Sequence, residues 1–216
     1  MKTDSQIQLD VMAELKWEPS VHATQIGVEV KDGVVTLAGH VGTYAEKWGA
    51  EQAAQRVAGV KALAVEIEIK LTDTSERSDG DIAASVKNVL DWTTYLPRNA
   101  VHVMVEKGWV TLTGKVDWEY QRQTAANAVR HLMGVRGISN SISISINAVT
   151  TATTVKSDIE AAFKRRTKSD IHVDVSGSDV TLTGTVHTWA QRDLATDAAW
   201  GTAGVHSVVN RINVVY

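Results

Sequence analysis

The chain reads as an α+β protein of three tandem small domains, each ordered α-β-β-α-β, with a three-stranded sheet covered on one face by two helices. Three observations predict this. Val-Thr-Leu-x-Gly-x-Val occurs three times, at Val35 to Val41, Val110 to Val116 and Val180 to Val186. Each motif glycine, Gly39, Gly114 and Gly184, is followed at one fixed distance by Gly59-Val60, Gly134-Val135 and Gly204-Val205. Flanking each motif, apolar periodicity changes from helical to alternating and back in the same order. Self-similarity with a period of about 70 to 75 residues marks repeated units, here expected over 1–71, 78–147 and 153–216.

The first helix of each unit shows as Ile7/Val11/Leu15, Ile82/Val86/Val89/Leu90 and Val155/Ile159/Ala162/Phe163, one face of a 3.6-residue repeat. The first strands alternate at Ile26/Val28/Val30, Val101/Val103/Val105 and Ile171/Val173/Val175, which buries one face and leaves the other polar. Asp32-Gly33 and Lys107-Gly108 join these strands to the motif strands, where glycine tolerates the positive φ of a primed turn. Gly177-Ser178 moves the glycine forward and predicts the II′ form. The motif strand is expected to end at its glycine, where the backbone and a helix approach closely.

Thr43 with Glu46 and Thr188 with Gln191 form capping boxes for the second helix, and Asp117 is placed to cap the middle one. That helix carries an alanine-rich face, Ala50/Ala53/Ala54, Ala125/Ala128 and Ala195/Ala198/Ala199, suited to lying close on a sheet. Gly59, Gly134 and Gly204 stand where a helix ends in a left-handed residue. The last strands are Val65/Ile67/Ile69, Ile142/Ile144/Ile146 and Val208/Ile212/Val214.

Taken together, Gly-x-Val, an aromatic residue a few positions on, a basic residue eight past the glycine (Lys47, Arg122, Arg192), spaced alanines, Gly-Val and a final Val-x-Asn (Val208-Val209-Asn210) closely resemble the BON domain. All three copies match. The first departs with Ala64-Val65-Glu66 in place of Val-x-Asn, and in the second Ser139-Asn140 reads as shifted. The resemblance implies a non-enzymatic binding protein of the OsmY type, associated with osmotic or envelope stress and with phospholipid surfaces. Its alternatives are a cytoplasmic small-ligand or potassium-ion sensor and a self-assembling, chaperone-like protein.

Composition narrows the classes further. A 216-residue chain that is 44% hydrophobic is ordinary globular material divided among three small cores. Its net charge of −3 argues against general nucleic-acid binding. Without cysteine there is neither a disulfide framework nor a thiolate metal site. No run approaches the ~18 apolar residues of a transmembrane span, and the first residues lack the apolar core of a signal peptide. The expected location is cytoplasmic, or periplasmic for a processed form.

No catalytic or cofactor signature emerges. The seven histidines make no helical His-x-x-x-His pair, and His102 and His172 fall on the polar strand face. Glu66 and Glu68 read as a solvated strand face rather than a cation site. Phosphate loops, dinucleotide fingerprints and nucleophile elbows are absent. The linkers, 72–80 and 147–154, are too short to be free tethers, so neighbouring units are expected to touch.

Seven tryptophans beside a single phenylalanine are the more informative feature. Trp17 and Trp92 are equivalent and end the first helices, where the third copy has Arg165. They either close their own cores or form a surface. The sharper reading groups Lys87, Trp92, Tyr95, Leu96 and Arg98 as an aromatic and basic patch suited to an anionic phospholipid or a protein partner. Trp109 is expected to point outward from a sheet face of threonines, to be covered by a neighbouring unit or left for a partner; a homo-oligomer is one such arrangement.

Overall fold

Alternating and helical stretches condense into three sheets and six α-helices among the described residues, which are 2–72, 74–145, 152–166 and 171–215 of a computed structural model. Unit one comprises α1 (Asp4–Trp17), a 3₁₀ turn (Ala23–Gln25), β1 (Ile26–Lys31), β2 (Val34–Val41), α2 (Tyr44–Arg56) and β3 (Ala62–Ile69). Unit two comprises α3 (Asp79–Trp92), β4 (Val101–Glu106), β5 (Trp109–Val116), α4 (Glu119–Arg130) and β6 (Gly137–Ile144). Unit three comprises α5 (Ala152–Arg166), β7 (Ile171–Ser176), β8 (Asp179–Val186), α6 (Trp189–Trp200) and β9 (Ser207–Val214). The fold is therefore α+β in triplicate. Part of the second linker lies outside the described residues.

The motif strand is central in each sheet. It pairs antiparallel with the preceding strand and parallel with the last one. A parallel return needs a crossover, which the second helix supplies. Ile7, Val11 and Leu15 with Val35, Leu37, Ala50, Ala53 and Ala54 fill the first core, and the equivalent positions, apart from half-buried Ala128, fill the other two.

The hairpin turns take the expected forms. Asp32-Gly33 and Lys107-Gly108 have φ of 54° and 79°, and of 50° and 77°, as type I′ requires, while Gly177 alone is positive, at 65°, in the third. Sequence reasoning missed what holds them: Asp4 accepts from the amides of Asp32 and Gly33 (2.8 and 2.9 Å), and Asp79 from those of Lys107 and Gly108 (both 2.8 Å). The signal was an aspartate at one common distance before the turn glycine.

Several expectations need correction. The motif glycine sits inside its strand instead of ending it, and its close neighbour is a backbone carbonyl, not a helix. Gly114 has φ 131°, and an added Cβ would overlap the Ala100 carbonyl oxygen, which also accepts from the Lys115 amide at 3.1 Å. Asparagine 140 is not shifted, because Leu112 pairs with Asn140 as Leu182 pairs with Asn210. Helix α4 begins after Trp118, one residue later than an Asp117 cap requires. Thr43 does cap α2, accepting from the Glu46 amide, but the Glu46 carboxylate does not return to Thr43; it turns to His22 and Gly42.

Contacts between units run through the second helices. Arg130 of α4 stacks its guanidinium 3.7 Å from the Trp48 ring centre of α2, and Arg122 of α4 lies 5.2 Å over Trp200 of α6. Arg130 and Trp200 hold equivalent positions, sixteen residues past their motif glycines. So the end of one unit's second helix meets the start of its predecessor's. Helices α2 and α6 also touch, and Trp189 Nε1 donates to the Val60 carbonyl at 2.7 Å across 129 residues. The succession closes head to tail into a ring of three.

Candidate functional site

Two surfaces emerge from this framework. At the end of α3 the helix stops at Thr93, and the chain turns through Pro97 into β4. Trp92 is 88% exposed there, and its equivalent Trp17 is 81% exposed, so neither closes a core. Trp92 and Arg98 line one shallow recess with Asp91 and Asn99. Lys87 pairs with Asp91 at 3.0 Å, which offsets part of its charge. Tyr95 is 65% exposed and sets its ring edge-on against Tyr120 with centroids 6.1 Å apart. Leu96 turns away from this group, half-buried against the core of its own unit, because it is apolar and its amide closes the turn on the Thr93 carbonyl at 3.1 Å. The side chain of Arg165 lies outside the described set.

The position seven past the motif glycine holds this corner together. Gln121 accepts from the amides of Asp117 and Trp118 and donates to the Tyr95 carbonyl at 2.9 Å. In unit one Glu46 accepts from the amides of His22 and Gly42 (2.8 and 3.0 Å) and meets the His22 ring at 2.8 Å. Burial works to raise the Glu46 pKa, but these hydrogen bonds outweigh it and hold the carboxyl below its ordinary value. Sequence reasoning read this residue only as half of a capping box.

The second surface is a groove of about 470 Å3 between units one and two. Lys47, Ile67 and Ile69 line it from unit one, and Met104, Lys107, Trp109 and Arg136 from unit two. Trp109 is half exposed, lies over Gly137 of its own sheet and donates from Nε1 to Ser139 Oγ at 2.9 Å. Between units two and three, Glu119 is buried with Arg122 against both carboxylate oxygens at 2.7 and 2.8 Å. Burial raises the pKa of Glu119 while Arg122 works against that rise.

Among the described residues, no cluster of three or more histidine and acidic side chains could hold a metal ion, and no helix is long and apolar enough to cross a membrane.

Three segments, 3–70, 78–145 and 147–216, match the BON domain model, one for each structural unit. The chain belongs to the BON domain family. Osmotically-inducible protein Y of Escherichia coli strain K12 is 30% identical over 145 residues, covering 64% of this chain and 71% of that protein. Among solved structures, CdsD, a structural protein of the type III secretion system of Chlamydia trachomatis, is 14% identical with a TM-score of 0.28, covering 96% of this BON chain and 91% of that one. The periplasmic domain of the type III secretion inner-membrane protein PrgH from S. typhimurium is 15% identical with a TM-score of 0.24, covering 94% and 99%. Likenesses this remote say nothing of what the BON units bind.

Proposed function

We propose that this BON protein is a non-enzymatic, osmotic-stress-associated protein that attaches peripherally to anionic phospholipid surfaces. The observation that carries the reading is the pair Trp17 and Trp92, equivalent in sequence and 81% and 88% exposed at the ends of their helices. Leaving such rings exposed to solvent gains nothing for the folded chain, whereas a head-group interface accommodates an indole with its apolar body and polar edge. Arg98, beside Trp92, supplies a cation at the same place. The stress association is supported by the name of the Escherichia coli relative.

The test is sedimentation with vesicles of phosphatidylglycerol and phosphatidylcholine. With a net charge of −3, attachment should be weak and confined to low salt, since surface attraction is screened over about 10 Å at 0.1 M. Replacing Trp92 and Tyr95 by serine should remove most of the pelleted protein, and Trp17→Ser should reduce it further. If the parent chain does not pellet at low salt, the lipid reading is wrong.

A further inference from the structure

The outer edges of β3, β6 and β9 are equivalent, but they are not finished in the same way. In unit two Asn140 Oδ1 accepts from the Ile142 amide at 3.3 Å, and its Nδ2 donates to the Arg122 carbonyl at 2.9 Å. In unit three Asn210 Oδ1 accepts from the Ile212 amide at 2.9 Å, and its Nδ2 donates to Thr196 Oγ1 at 2.6 Å. Each asparagine thus caps the outward amide of its edge strand and ties that strand to the second helix. Unit one has Val65 in this register, opposite Leu37. Valine offers the Ile67 amide no acceptor. The Ile67 carbonyl, which points the same way, is met by the flexible ammonium of Lys47 at 2.9 Å.

The uncapped edge is also the one that borders the groove between units one and two. The Ile67 backbone, whose side chain is buried in the core of unit one, and half-buried Ile69 form one wall, Met104 (60% exposed) and Trp109 the other, and the cations Lys47, Lys107 and Arg136, the last 3.9 Å from Glu76, outnumber the one lining acid, Glu106. A locally positive groove on a net acidic chain favours an acidic occupant. An open strand edge favours an extended one. From the two together we infer that this groove binds an acidic, extended peptide segment of a partner protein, which adds as a strand to β3.

The incoming backbone bonds the outward groups of Ile67 and its neighbours, an apolar peptide side chain lies against Met104 and Trp109, and a peptide amide replaces Lys47 on the Ile67 carbonyl. The freed ammonium then meets a peptide carboxylate. Main-chain bonds supply affinity in this mode, and the alternate side chains supply selectivity. The site is separate from the Trp92 surface, so it stands or falls independently of lipid attachment.

Fluorescence anisotropy of labelled, end-blocked decapeptides on the full chain tests the inference. The probes alternate valine with glutamate, valine with lysine, and valine with glutamate on an N-methylated backbone. The glutamate peptide should bind at least about tenfold more tightly than the lysine peptide, and N-methylation should abolish binding. Met104→Glu and Val65→Asn, each checked for an unchanged circular dichroism melt, should weaken the glutamate peptide by about tenfold or more. The second variant restores the cap that the other units carry and touches no apolar wall. No binding of the glutamate peptide, equal binding of the lysine or N-methylated peptide, or indifference to Val65→Asn overturns the inference. Vesicle pelleting that is lost on Met104→Glu but survives the Trp92 and Tyr95 changes assigns the groove to lipid and overturns it as well.

Discussion

Glu46 shows how one buried side chain can staple three backbone segments. Its carboxylate gathers the His22 and Gly42 amides and the His22 ring, while Thr43 caps the helix on which it rides. Hydrogen bonds to a charged group are worth about 1.5–3 kcal/mol each, and an orphaned buried amide costs about 1–3 kcal/mol. Because the folded carboxyl is held below its ordinary pKa, the stability it contributes is present above the unfolded value and is lost as pH falls through the folded one. The parent melting temperature should therefore decline on the acid side. Glu46→Gln, which copies Gln121 and Gln191 at the equivalent positions, should flatten that decline; parallel acid limbs by differential scanning calorimetry would show that Glu46 does not control it.

At the scale of the element, the last strand of each unit is an edge, and its protection is local. The Asn140 and Asn210 side chains bridge from that edge to α4 and α6, with Lys47 reaching the same edge from α2 in unit one. An edge amide without its cap is exposed to foreign strands. Asn140→Val, which makes β6 resemble β3, should cost about 1–2 kcal/mol in urea unfolding and speed hydrogen exchange at the Ile142 amide. Unchanged exchange there would mean that the asparagine does not guard the edge. The first helices do a comparable service for the hairpins, since Asp4 and Asp79 receive two turn amides each.

The whole molecule is a ring closed by unlike neighbours. Arg130 on Trp48 joins units one and two, Arg122 on Trp200 with Gln123 on Asp197 at 3.1 Å joins two and three, and Trp189 on the Val60 carbonyl joins three to one. Tyr44 belongs to the same system, half-buried against the core of unit two, where burial and then Glu51 push its pKa up. The Trp189 contact joins the two units that are not consecutive in the chain, so it should be the first to open. Trp189→Phe keeps the ring but removes the donor. It should lower the stability by about 1–3 kcal/mol and enlarge the radius of gyration in small-angle scattering near the transition. An unaltered radius and melt would show that the ring is held without that bond.

How much of this was legible follows from the range of the physics involved. Periodicity at Ile7/Val11/Leu15 or Val101/Val103/Val105 records which face is dry, and the Asp32-Gly33 turn records a local φ; both are properties of adjacent residues, so the α-β-β-α-β order and its triplication could be read from the chain alone. Strand order could not, because nothing local says that the motif strand lies between its partners and pairs parallel with the last. The strain at Gly114 depends on Ala100, the role of Glu46 on His22, and the equivalence of Asn140 with Asn210 on sheet register, each set by residues distant along the chain. The exposure of Trp92, the inward turn of Leu96 and the groove beside Trp109 depend on how whole elements and units pack. The sequence by itself determined three BON units and their internal order, because local spacing encodes burial; only the tertiary structure decided that they close into a ring with one uncapped edge facing a cationic groove, because those contacts join side chains that no sequence period relates.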